Sequence, residues 1–137
     1  MTRIKVSKIW KAKESIAKLY KSDIPVKKAF KAKNTLAKID AILKNYTDTF
    51  NEIVEKIGVR TDKGYTVPGI SEEECKKVGW TLDQAIDANK RLKEDVNTLG
   101  NQEVDINIVK ISLDELYEGT SLLSVSDVTL LEDFIHG

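Results

Sequence analysis

The sequence predicts a mostly helical α+β domain: a long antiparallel helical hairpin, a third helix, a small two-stranded β element and a C-terminal helix. Three observations lead there. From Ile24 to Gly58 apolar residues recur mostly at three- and four-residue spacings, which keeps a stripe on one helix face for roughly nine turns. Only Lys21-Ser22-Asp23 separates that stretch from a shorter amphipathic one, so the two helices are expected to fold back on each other. Two short segments, residues 3–6 and 103–109, alternate polar and apolar side chains as half-buried strands do.

Taken in order, Arg3-Ile4-Lys5-Val6 reads as the first strand. Ser7 is placed to cap a helix of about Lys8 to Tyr20, with Ile9, Ala12, Ile16, Leu19 and Tyr20 on one face. Pro25 suits the first turn of the long helix, where a missing N–H costs nothing. Its stripe reads Val26, Ala29, Phe30, Ala37, Leu43, Tyr46, Phe50, Ile53, Val54 and Ile57. Gly58 is expected to close it in the left-handed conformation. This helix outruns the first by several turns and needs cover, for which the third helix is the candidate.

Residues 59–70 carry turn chemistry between short extended pieces at Val59, Tyr65 and Val67. Ser71 and Glu74 form a capping box for a helix that meets Gly79 and restarts or continues from Thr81 to about Leu99. In the strand from Glu103, Val104, Ile106 and Ile108 face inward while Asp105 and Asn107 face out; residues 3–6 are its obvious mate. Ser112 caps a short helix through Leu113 and Leu116, and Ser124 or Ser126 starts a last one ending near Ile135. The whole is read as one domain, 1–137: strand and hairpin 1–58, a loop or β-turn insertion 59–70, a helix 71–99, and a strand with short helices 100–137.

The formal net charge of zero conceals strong segregation. Residues 1–44 carry 13 Lys+Arg against 3 Asp+Glu, whereas residues 95–137 carry 1 against 9. No run approaches the ~18 apolar residues of a membrane span, and no apolar core of a signal peptide follows the first residues. A single cysteine, Cys75, fits a reducing compartment.

No catalytic arrangement emerges. His136 is the only histidine and stands beside the C-terminus, while Cys75 sits among three glutamates. One His and one Cys exclude ordinary zinc sites. The run Glu72-Glu73-Glu74 is explained by a capped helix start, and no phosphate-binding glycine loop is present. No cofactor and no metal are expected, and an enzyme is not. Lys8, Lys11, Lys18, Lys21, Lys27, Lys28, Lys31, Lys33, Lys38 and Lys44 could form a phosphate-binding ridge, with Trp10 or Tyr20 to stack on bases. Arg3 is the only arginine before Arg60, which argues against sequence-specific readout. Most aromatics fall on apolar faces and read as core; Trp80, beside Gly79, is the one that would suit an interface if exposed.

The order of features resembles an uncharacterised family of small proteins encoded by phages and prophages of low-GC Gram-positive bacteria. The resemblance rests on the first helix, the link with Ile24-Pro25-Val26, the Lys-rich start of the long helix, and Gln102-Glu103-Val104-Asp105-Ile106-Asn107-Ile108. It continues through Ile111-Ser112-Leu113-Asp114-Glu115-Leu116 and the closing Ser126-Asp127-Val128 to Ile135 segment. It implies a phage origin and brings no catalytic residues. The expected function is non-enzymatic binding of a host or phage protein through charged surfaces, either inhibiting or redirecting a host protein or serving virion assembly. The expected location is the cytoplasm of the bacterial host, or the virion. Lys27, Lys28, Lys31, Trp80, Asp114, Glu115 and Glu118 are the candidate contact residues. Sequence-nonspecific nucleic-acid binding is the alternative; self-association is left open, and no membrane partner is expected.

Overall fold

A computed structural model describes residues 2–21, 24–112 and 123–136. The chain is mostly helical, with a long helical hairpin and small strand pairs, an α+β architecture. The elements are β1 (Thr2–Lys5), α1 (Val6–Lys21), α2 (Val26–Ile57), β2 (Val59–Thr61), β3 (Gly64–Thr66), α3 (Glu72–Val78), α4 (Leu82–Gly100), β4 (Glu103–Ile106), β5 (Ile111–Ser112), α5 (Val125–Leu130) and β6 (Ile135–His136). Among the described residues no helix is long and apolar enough to cross a membrane. The residues gather into two compact units, 1–44 with 102–137, and 45–101; α2 runs through both.

In the first unit β1 and β4 pair antiparallel, with Arg3 opposite Asp105 and Ile4 opposite Val104, as the alternation predicts. Ile106 is fully buried while Asp105 and Asn107 are exposed. Helix α1 starts at Val6, directly from the strand, rather than after a cap at Ser7. The reason is tertiary: the Val6 N–H donates to the Gln102 carbonyl at 2.9 Å, so a donor that would be orphaned at a helix start is already satisfied. Ile9, Ala12, Ile16, Leu19 and Tyr20 are all buried, the face that spacing assigns. They pack with Ile39, Ile106, Ile111, Leu131 and Phe134. Each fully buried Ile, Leu or Phe contributes about 1.5–3 kcal/mol. The Tyr20 and Phe134 rings meet edge to face, centroids 6.0 Å apart.

The expected last helix is cut short. α5 ends at Leu130, and Phe134 turns into the core while β6 pairs parallel with β5, Ile135 opposite Ile111. Ser124 caps α5, its Oγ accepting from the Asp127 N–H while the Asp127 carboxylate accepts from the Ser124 N–H at 2.9 Å. That carboxylate also accepts from the Ser15 hydroxyl at 2.6 Å and from the Lys18 ammonium at 3.3 Å, tying α5 to α1. The Ser124 N–H foremost, then Ser15 and Lys18, holds the Asp127 carboxyl well below the usual carboxylate range. The short helix expected through Leu113 and Leu116 lies outside the described residues.

In the second unit β2 and β3 form a hairpin, the turn chemistry of residues 59–67. Gly58 does not adopt the left-handed conformation; among glycines with positive φ are Gly64 and Gly79. What Gly58 supplies is room, since a Cβ there would sit 2.5 Å from the Thr66 carbonyl oxygen and 2.6 Å from that of Val54. Gly79, at φ 72°, ends α3, and Thr81 with Gln84 forms a reciprocal capping box that restarts the chain as α4. Ser71 caps α3, accepting from the Glu74 N–H at 3.2 Å. Cys75 is buried, its Sγ donating to the Gly69 carbonyl at 3.8 Å. The Asn89 side-chain amide donates to the Pro68 and Ala85 carbonyls, pinning the loop onto α4.

Asp127 sets a pH dependence with a definite sign. Its folded pKa is lowered, so its contribution is fully present above the unfolded value of about 3.9 and fades as pH falls toward and through the folded one. Asp127→Asn should therefore lower the melting temperature at neutral pH, with the gap to the parent protein shrinking below about pH 4. Parallel thermal melts followed by circular dichroism across that range check it.

Candidate functional site

The sequence expects one continuous stripe on α2; the structure divides it between two faces. At about 100° per residue, the six-residue step from Ala37 to Leu43 rotates the helix by about 240°. Val26, Phe30 and Ala37 thus point one way, and Leu43, Tyr46, Phe50 and Ile57 another. Val26 is 88% and Phe30 73% exposed, and Ala29 and Ala37 are exposed too. The first half of the helix turns inward instead on Ala32, Thr35 and Ile39, all buried. Phe30 lies nine residues, about half a turn in phase, from Ile39. It is not a core residue.

Beside that outward face runs a groove of about 680 Å³, between Lys27, Lys28, Lys31, Asn34 and Thr35 of α2 and the extended segment Asn107, Ile108, Val109 and Lys110. The extended segment follows β4 at the point where its partner ends, since Ile106 is opposite Thr2. Side chains then take over from the sheet. Lys38 donates to the Asp105 carbonyl at 2.9 Å, Thr35 to that of Asn107 at 2.7 Å, and Lys28 to that of Lys110 at 2.9 Å. The Tyr20 hydroxyl donates to the Val109 carbonyl at 3.1 Å and accepts from its N–H at 3.2 Å. Burial pushes the Tyr20 phenol up to about 12, so it stays a neutral donor and acceptor at any ordinary pH.

The described ion pairs of this unit gather on β1 and α1. Arg3 faces Glu103 and Asp105, each at 3.6 Å. Lys8 meets Asp133 and Glu132, both at 2.6 Å; the hydrogen bonds it donates to these carboxylates, Asp133 first, raise its pKa. Lys18 meets Asp127. Among the described residues Lys27, Lys31 and Lys110 have no carboxylate within ion-pair distance. Lys27 and Lys28 also stand in the first turn of α2, which holds no acidic residue. Positive charge there opposes the helix dipole, a local disadvantage that the Lys28 bond to the Lys110 carbonyl offsets for Lys28.

Of the expected contact residues, the structure brings Lys27, Lys28 and Lys31 together along the groove. Trp80 belongs to the second unit and is half-buried, and its backbone N–H donates to the Cys75 carbonyl at 2.9 Å. Asp114, Glu115 and Glu118 lie outside the described residues. Tyr20 is buried, and Trp10 lies under the Lys13 ammonium, 3.5 Å from the ring centre, so neither offers the free ring expected for base stacking. Sequence reasoning missed Lys110, Asn107, Asn34 and Thr35. Lys110 had a signal, as the one basic residue between 95 and 137. No protein family, curated protein or solved structure matches the chain.

Two substitutions separate the faces of α2. Ile39→Ala should cost about 2–5 kcal/mol through lost packing, whereas Phe30→Ser should stay within about 0.5 kcal/mol of the parent; urea unfolding measures both. Tyr20→Phe should cost about 1–3 kcal/mol, because it strips both backbone groups of Val109 of their partner.

Proposed function

We propose that this protein is a non-enzymatic, phage-encoded binding factor that holds an acidic segment of a partner protein in the groove between α2 and residues 107–110. Through that hold it inhibits or redirects a host protein, or joins virion assembly, in the cytoplasm of the bacterial host or in the particle. One observation carries this reading. The described acidic residues near the C-terminus are matched to Arg3, Lys8 and Lys18, while the groove keeps Lys27, Lys31 and Lys110 without a carboxylate among the described residues. Ile108 and Val109 give the groove half-buried apolar sides, and Asn34 and Asn107 add amides that can bond a peptide backbone or a carboxylate. Complementary charge of this kind steers encounter and selects partners more than it adds affinity.

A second reading, sequence-nonspecific nucleic-acid binding, is favoured by the exposed Phe30 ring beside these lysines, since a ring flanked by lysine can stack on a base.

Fluorescence anisotropy with a labelled poly-glutamate peptide and a labelled oligo(dT) of equal charge distinguishes the two. The peptide should bind at low salt, and Lys27→Glu with Lys31→Glu should weaken it roughly tenfold or more. The same double substitution should leave the melting temperature unchanged or higher, because acidic residues suit the first turn of a helix. Absence of peptide binding at low salt would overturn the protein-binding reading. Tighter binding of oligo(dT), falling steeply with salt and lost on the double reversal, would put the nucleic-acid reading in its place.

A further inference from the structure

The groove is only one flank of a larger surface. Val26, Phe30, Ala37 and Ala41 fall within about 60° of one another around α2, and all four are exposed. Large side chains stand at one end of this stripe and small ones at the other. Lys27, Lys31 and Lys38 border it on the groove side; Lys33 and Asp40 border it on the other. An exposed Phe and Val one turn apart are unfavourable on a free surface and have the anatomy of an interface centre with a charged rim.

We infer that this stripe docks an acidic amphipathic helix of the partner protein, an inference that rests on the groove reading and specifies its occupant. The i, i+4 pair Val26 and Phe30 forms a ridge that fits between apolar side chains at the same spacing on a second helix. Ala37 and Ala41 let the two backbones come close further along. Carboxylates on the partner's flank then meet Lys27 and Lys31, two lysines with no carboxylate within ion-pair distance among the described residues.

Two other occupants fit less well. A nucleic acid has use for Phe30, but Val26, Ala37 and Ala41 offer no π-face on which to stack a base. A second copy of this chain would set Lys27, Lys31 and Lys38 against the same lysines in an antiparallel pairing, and Lys31 against Lys33 in a parallel one. Like charges so juxtaposed disfavour association.

Three labelled peptides of equal net charge test this by anisotropy: a Leu/Glu peptide with leucines at i, i+4 spacing, its scrambled counterpart, and poly-glutamate. The patterned peptide should bind about tenfold tighter than the scramble, the size of effect expected of one buried aromatic anchor. Phe30→Ala should remove that preference while leaving both the poly-glutamate affinity and the melting temperature unchanged. Equal affinity for patterned and scrambled peptides overturns the inference, as does a preference that survives both Phe30→Ala and Val26→Ala. If poly-glutamate still binds and Lys27→Glu with Lys31→Glu abolishes it, the inference falls alone; if no peptide binds, the groove reading falls with it. Concentration-dependent dimers in sedimentation, or uptake by anionic vesicles, that Phe30→Glu abolishes would show a different occupant and also overturn it.

Discussion

The first 44 residues carry ten more positive than negative charges, and on closure the fold brings acidic residues from the other end of the chain against some of them. In the first unit that closure is achieved at the pairing of β1 with β4, where Arg3 meets Glu103 and Asp105, and along α1, where Lys8 and Lys18 meet residues from 127 to 133. Most of these pairs are solvent-exposed, and such pairs are individually weak. Asp127 is different: it is buried and accepts from Ser15, Lys18 and the Ser124 backbone, so removing it would leave the buried Ser15 hydroxyl without its acceptor. The arrangement fixes where α5 sits, and with it Leu131 and Phe134, which complete the core around Ile9, Ile16 and Ile39.

Among the described residues the same closure leaves Lys27 and Lys31, at the start of α2, without a carboxylate within ion-pair distance. Carboxylates engaged by β1 and α1 are not available to the start of α2. Lys27 and Lys31 therefore remain beside a groove whose far wall is held open by side-chain bonds to the backbone of residues 105–110. A polypeptide held in this way keeps a fixed distance from the helix without filling the space between. Structural closure and a residual basic surface are two outcomes of one distribution of charge.

Helix α2 serves both outcomes because its apolar residues change phase between Ala37 and Leu43. Read as spacings, threes and fours on either side of that step look like one stripe; read as angles, they are two. The inward face is supplied early on by Ala32, Thr35 and Ile39, small or polar residues that a search for large apolar side chains passes over. A Thr that bonds the Asn107 carbonyl can sit in a core as well as an aliphatic residue can, since its one polar group is satisfied.

Much of the local chemistry was legible. The cap at Ser71, a last helix starting at Ser124 or Ser126, the interruption at Gly79, the turn near Gly64, the buried face of α1 and the mating of residues 3–6 with the strand from Glu103 follow from the residues themselves, whereas the cap expected at Ser7 and the left-handed Gly58 do not form. The charge asymmetry is likewise read directly from the residues, where Lys27, Lys28 and Lys31 stand out as candidate contact residues. Tertiary structure alone decided which lysines are neutralised, that Lys110 joins the groove, that Phe30 faces solvent and that Gly58 is needed for space rather than for its conformation. Those outcomes depend on which distant segment arrives against a given face, and spacing along one helix does not encode it.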